Sequence, residues 1–149
     1  GGKRLPTSEE WYSLTLGITN SEKSCNTTSK NISPAGTYSE CVSPEGVYDL
    51  VGNVWEWVGG DVTDGKYNSV TLPESGYVAQ VDTSGMATAI SETPQELFDE
   101  DYFWSREDGA YGIIRGGYYD SGSDAGMYTV HADTLPTSAS IGIGFRCVK

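Results

Sequence analysis

A chain of 149 residues can enclose one hydrophobic core and is too short for two comfortable ones, so residues 1–149 are read as a single domain. Its 21 acidic residues against 9 basic ones leave a net charge of -12, which argues against nucleic acid and anionic membrane as partners and favours solubility or cation binding. No apolar run approaches the roughly twenty residues a membrane span needs and no signal peptide is visible, so no membrane insertion is expected; entry from GGKRLPT almost directly into structure is compatible with the C-terminal part of a longer protein.

Thr7 opens TSEE, a capping box with Thr7 as N-cap and Glu10 three residues on, and Trp11, Leu14 and Leu16 supply an apolar stripe before Gly17. The spacing predicts one short amphipathic helix. Residues 18–38 are rich in Ser, Thr, Asn and Lys without a period and read as a long polar loop crossing the surface. Asn26 and Asn31 each head an N-x-Ser/Thr sequon there, read as chance sequons in a solvated loop. Cys25, Cys41 and Cys147 have no C-x-x-C spacing and no histidine cluster, so no zinc site is expected. Two arrangements stay open: a Cys25–Cys41 bridge with Cys147 buried in a terminal strand, or three free thiols.

Residues 46–57, GVYDLVGNVWEW, are the densest stretch. Gly52 and Asn53 turn the backbone sharply, so carbonyl oxygens there leave any ladder, and Asp49 and Glu56 bracket the turn. Two carboxylates closing on outward carbonyls suit a hard cation, calcium best, since it takes about six to eight oxygens in irregular geometry. The other reading makes Trp55 and Trp57 core anchors of a short strand, with Asp49 capping a turn and Glu56 solvated. A period of two puts Val54 and Glu56 on one face and the two tryptophans on the other.

Beyond it, Gly, Asp, Ser and Thr punctuate short β-prone runs over residues 59–90, a hairpin or an irregular insertion. Thr93 opens TPQE, with Pro94 at the first helical position and Glu96 completing a second capping box. A second short helix is predicted there, with Leu97, Phe98 and Phe103 as its apolar contacts. Residues 113–115 form the clearest strand, stopped by Gly116 and Gly117, and residues 143–148 another, both in a small antiparallel sheet. Strands do not alternate with long helices, which argues against a doubly wound parallel sheet.

Taken in order, GKRLPTSEEW, YDLVGNVWEW, RGG and GFRCV resemble the formylglycine-generating-enzyme (sulfatase-modifying factor) family over residues 2–148. The resemblance implies an α+β, C-type-lectin-like fold of the formylglycine-generating-enzyme type: irregular and loop-rich, with two short helices and a small twisted antiparallel sheet. It also implies a structural calcium in YDLVGNVWEW, held here by the Asp49 side chain, the Gly52 and Val54 carbonyls and the Glu56 side chain. The family more often has asparagine where Asp49 stands.

The family's reactive groups are missing. Its oxidases place two copper-binding cysteines after RGG, and by position those slots are Ser121 and Gly126, so no copper is expected. Related sulfoxide synthases use three histidines on non-haem iron; this chain has only His131, so no iron is expected. The EPN- or QPD-like signature of calcium-dependent sugar binding is absent as well. The chain is therefore expected not to be an enzyme. An oxidase of the formylglycine-generating type, or a catalytically dead relative, is the alternative.

Residues 118–142, YYDSGSDAGMYTVHADTLPTSASIG, mix small, polar and aromatic residues with neither a helix period nor a sustained strand pattern, the composition of an adaptable binding loop. A subset of proteins with this fold are variable proteins of diversity-generating retroelements, whose tract between RGG and GFR is rewritten at template adenines. Within residues 118–142 only Met127 lies outside the set reachable by substituting both adenines of an asparagine codon. The resemblance thus implies a non-enzymatic ligand-binding module of phage, archaeal-virus or microbial origin, with residues 115–146 as candidate variable region. Its candidate ligand contacts are Tyr118, Asp120, Ser121, Ser123, Asp124, Tyr128, His131, Asp133, Thr134, Ser138 and Ser140, with Tyr118 and Tyr128 as the main anchors. The expected partner is a protein on another cell or particle, met from a virion or cell surface. Residues 113–115 and 143–147 are expected to pair and, with the calcium loop and a core of Trp55 and Trp57, to hold a rigid frame. Arg115 and Arg146 are expected beneath the sheet against carboxylates or carbonyls.

Overall fold

The computed structural model describes residues 2–19 and 21–149, with the backbone alone at Glu22. Gly1, where the expected domain begins, and Asn20, within the expected polar loop, lie outside the described residues.

The first capping box forms. Helix α1 (Ser8–Thr15) starts on Thr7, whose hydroxyl accepts from the Glu10 N–H while the Glu10 carboxylate accepts from the Thr7 N–H. Trp11 is its fully buried apolar residue and Leu14 packs on the same core, whereas Leu16 lies past the helix and is exposed. A one-turn helix, α2 (Ser21–Ser24), then leads to Cys25, which is bonded to Cys41. Of the two arrangements open to the cysteines the bridge is the one present, but Cys147 is exposed and not buried. The polar segment is also less solvated than its composition suggests. Asn26 is buried, its Nδ2 donating to Asn31 O (2.9 Å), Ser33 Oγ (3.1 Å) and Asn53 Oδ1 (3.1 Å), so the first sequon is turned inward. It supports the turn that follows: Asn53 N–H donates to Asn26 O at 2.8 Å, and a side chain on Gly52 would collide with that oxygen.

Nine strands among the described residues make one mixed sheet: β1 (Trp55–Thr63), β2 (Lys66–Tyr67), β3 (Val70–Thr71), β4 (Gly76–Val81), β5 (Ala87–Ser91), β6 (Tyr102–Trp104), β7 (Ala110–Arg115), β8 (Val130–Thr134) and β9 (Ile143–Phe145). Their order is β3-β2-β1-β7-β8-β6-β4-β5, with β9 also paired to β1. The β1–β9 and β6–β8 pairs are parallel and the rest antiparallel. The sheet is therefore larger than the small antiparallel one expected. The two strands expected to pair with each other instead pair with β1, β7 antiparallel and β9 parallel to it. The last strand stops at Phe145, after which Val148 makes a single bridge to Arg4.

The second capping box does not form. Gln95 precedes a short 3-10 turn, Glu96–Phe98, with an extended backbone, and its Nε2 donates to Ser91 Oγ (3.1 Å) and Thr93 O (2.9 Å). Those bonds hold residues 91–95 in a turn of their own, and Leu97 is left 81% exposed. Phe98 does pack on the core, and Phe103 is buried in β6.

Register separates the two faces of the sheet. One row reads Glu56 (β1), Arg115 (β7), Val130 (β8), Phe103 (β6), all buried on the side of Trp11. The adjacent row reads Phe145 (β9), Trp57 (β1), Ile114 (β7), His131 (β8), Trp104 (β6), and alternation turns it the other way. Glu56 is thus buried on the Trp11 side and not solvated, while Trp55 and Trp57 share the opposite face, where Trp55 is buried and Trp57 half-buried. Replacing Cys25 and Cys41 together by serine frees a loop of sequence separation 16 and is expected to lower stability by about 3 kcal/mol, read as an earlier urea midpoint.

Candidate functional site

The second row is built around a cluster of rings, half-buried except for the exposed Phe145 and flanked by the buried Trp55. Trp104 and His131 stack with centroids 4.0 Å apart and planes 6° apart, and Trp55 meets His131 edge-on at 4.9 Å. Tyr102 leans on Trp104 at 4.7 Å, and Tyr77 stands edge-on to Tyr102 at 5.1 Å. Trp57 lies over Gly112, where a Cβ would come 2.6 Å from the indole, so glycine makes the room the ring needs. Phe145 closes the row at β9 and is 69% exposed. Of this cluster only His131 is among the contacts expected from sequence. The W-E-W alternation signals that Trp55 and Trp57 share a face, but nothing local says which face meets solvent.

Strand β8 runs through residues 118–142, so the tract is not one loop. Val130 and Ala132 enter the core, while His131 Nδ1 stands 2.8 Å from Asp133 Oδ1 on the outer side. Arg106 Nε lies 4.0 Å from Asp133 Oδ2, and Thr134 pairs with Gly112, next to Trp57. At the other end Tyr118 is edge-on to Tyr119 at 4.9 Å, and its ring borders Gly142. The Gly142 carbonyl accepts from Trp55 N–H (2.8 Å), and Ser140 Oγ accepts from Gly142 N–H (3.2 Å). His131, Asp133, Thr134, Tyr118 and Ser140 therefore border the aromatic row. Asp120, Ser121, Ser123 and Asp124 gather apart, around the 3-10 turn Gly122–Asp124, which docks on the disulfide loop through Gly122 N–H to Thr27 O (2.9 Å). Ser138 closes a turn on Leu135 O (2.8 Å). Tyr128 goes to the core side, packing on Tyr12 and Phe98, and burial pushes its hydroxyl up to about 12.

Two buried ionisable side chains, Arg115 and Asp101, tie the tract's backbone to the frame. Arg115 donates to Ser8 Oγ (2.6 Å), Ser84 O (2.7 Å), Gly85 O (2.9 Å) and Met127 O (3.1 Å), with its guanidinium 4.9 Å over Trp11. Its partners are carbonyls and a hydroxyl, and burial lowers its pKa to about 10. Asp101 Oδ2 accepts from Tyr128 N–H (2.8 Å), and burial holds that carboxyl well above the usual carboxylate range. The same carboxylate fills the space beside Gly126, where any Cβ would collide with it. Ser121 Oγ accepts from Tyr118 N–H (2.9 Å). Neither position 121 nor 126 offers a thiolate, and the second has no room for one.

Asp49 and Glu56 line one cleft with Tyr48, Val54, Phe145 and Arg146. Asp49 has a left-handed backbone (φ 58°), and its Oδ2 accepts from Gly36 N–H at 2.7 Å. Its Oδ1 is buried without a hydrogen-bond partner, which suits a cation ligand. Glu56 is more fully engaged. Trp11 Nε1 donates to Oε2 (2.8 Å), and Arg146 reaches both oxygens, Nε to Oε2 at 2.6 Å and Nη2 to Oε1. Among the described residues no three His, Cys, Asp or Glu side chains gather as a metal site.

The family model for the sulfatase-modifying factor enzyme 1-like domain matches residues 2–149. The serine/threonine-protein kinase pkn1 of Chlamydia caviae is 28% identical over 158 residues, covering 99% of this chain and 21% of the kinase. Among solved structures the Major Tropism Determinant U1 variant aligns over 96% of this chain and 32% of its own, with a TM-score of 0.54 and 19% identity, and shares the fold. The chain thus spans about a fifth of the kinase and about a third of the structural neighbour.

Replacing Arg146 by alanine leaves the Glu56 carboxylate inside the protein without its ion pair and is expected to cost about 3–5 kcal/mol in a urea titration. Asp101→Asn is expected to act in the opposite sense. Because the folded-state pKa of Asp101 lies above its ordinary 3.8, ionisation opposes folding, and stability falls as pH rises from that ordinary value through the raised one. In thermal scans the variant should melt above the parent at about pH 7, with the gap closing at about pH 3.5.

Proposed function

We propose that this chain, which belongs to the sulfatase-modifying factor enzyme 1-like family, binds a target and does not turn one over. The observation that carries this reading is the row spanning five strands, with a ring on four of them, which the tract enters through His131. In this reading the protein is a variable protein of a diversity-generating retroelement, with the rewritten positions inside residues 115–146. A likeness in fold to a protein named as a determinant of tropism, in one of its variants, supports it. So do the ties from Arg115 to Met127 O and from Asp101 to Tyr128 N–H, since both hold backbone and leave side chains free to change. Tyr118, Asp120, Ser121, Ser123, Asp124, His131, Asp133, Thr134, Ser138 and Ser140 would meet the target, a protein on another cell or particle approached from a virion or cell surface. Tyr128 would brace the frame instead.

The family's name is that of an enzyme, and a copper oxidase of the formylglycine-generating type is the second reading. The residues at 121 and 126 weigh against it. A structural calcium belongs to the first reading: Asp49, whose Oδ1 lacks a partner, would hold it with the Gly52 and Val54 carbonyls and with Glu56, whose oxygens it would share with Trp11 and Arg146.

DNA flanking the gene should hold a reverse-transcriptase gene and a near-copy of the segment encoding residues 115–146 that differs at adenines; a genome without them removes the retroelement reading. Oxygen uptake with copper and a cysteine-bearing sulfatase peptide should be nil, and turnover would restore the oxidase. EDTA should lower the melting temperature by several degrees, reversed by added calcium; an unchanged melt discards the ion.

A further inference from the structure

We infer that the aromatic row docks a protein segment rich in lysine or arginine, a partner chemistry that rests on the binding reading above. The five strands of the row, β9, β1, β7, β8 and β6, carry few charges. Their acids are Glu56, Asp61 and Asp133, and Arg115 is their single fixed cation. Glu56 and Arg115 are spent inside, so the fixed charges left toward solvent are both acidic. Asp61 pairs with Gly112, the residue over which the Trp57 ring lies, and Asp133 stands against His131. At the rim Arg106 is already directed at Asp133.

Elsewhere Arg4 is held by Glu10 and Arg146 by Glu56, while Lys66 lies in β2 and the lysines at 3, 23, 30 and 149 lie outside the sheet. An acidic partner would find no free cation in the row and a body of net charge -12 behind it. A cationic one finds the opposite. Ammonium and guanidinium groups are attracted to the faces of tryptophan and tyrosine, and neighbouring carboxylates add to that attraction. Trp57, half-buried over Gly112, stacks on no other aromatic ring among the described residues.

The test is titration of the protein with a decalysine peptide at about 0.15 M salt, followed by tryptophan fluorescence, with decaglutamate and maltoheptaose as counter-probes. Decalysine should bind and the other two should not. Trp57→Ala with Phe145→Ala, which leaves every charge in place, should weaken decalysine at least about tenfold while the melting temperature stays within a few degrees. If the tryptophan change unfolds the protein, Phe145→Ala with Asp61→Asn replaces it, since both residues are exposed. Unchanged affinity in the variant that folds would overturn the proposal, because net charge alone would then hold the peptide. Binding of decaglutamate or maltoheptaose, lost in the same variant, would overturn it too. An adenine-marked repeat in the DNA alongside failed decalysine binding would remove only the partner's chemistry. A missing repeat with binding intact would remove only the retroelement.

Discussion

Glu56 is the charge around which the fold closes. A carboxylate withdrawn from water is tolerated only with partners, and this one draws them from Trp11, 45 residues away, and Arg146, 90 residues away. Once Glu56 points inward, the two-residue period of β1 sends Trp55 and Trp57 to the opposite face. The same register places Arg115 on the Trp11 side and Ile114, itself buried, on the opposite face, so the buried charges and the aromatic cluster are two sides of one constraint.

Arg115 extends that logic to the loops. Its guanidinium finds oxygens on Ser8 at the start of α1, on Ser84 and Gly85 in a turn, and on Met127 in the tract, while Trp11 and Tyr12 supply ring faces. Gly85 is glycine with reason: its φ is 71°, and a Cβ would press on the Tyr12 ring and on the guanidinium itself. A buried charge held this way through Nη1 and Nη2, with Nε left unpartnered, orders three irregular stretches at once, and α1 is the one helix of any length among the described residues. Asp101 ties the same tract a second time, through the N–H of the next residue, Tyr128.

How much of this was legible follows from how local each signal is. The Thr7 to Glu10 box could be read because both halves of its chemistry lie within one turn, and the order of the four motifs carried the family because it draws on the whole chain. The box at Thr93 failed because Gln95 bonds back to Ser91 and Thr93, a local alternative with the same residue types. Strand β8 was hidden in a tract whose composition reads as loop, although Val130 and Ala132 alternate with His131 and Asp133 as a half-buried strand should. The pairing of β9 with β1 and the direction of Trp57 were out of reach, since both depend on where Arg146 lies relative to Glu56, a fact of tertiary structure alone.

The bond from Arg115 to Ser8 joins residues 107 apart in the chain. Contacts so remote slow folding, because wide loops must close before anything is gained. A substitution between residues 118 and 142 alters side chains and not spacing, so the entropy of closing those loops is the same whatever the tract carries. The distance the polypeptide must search in folding is therefore set by the frame and not by the side chains the tract carries.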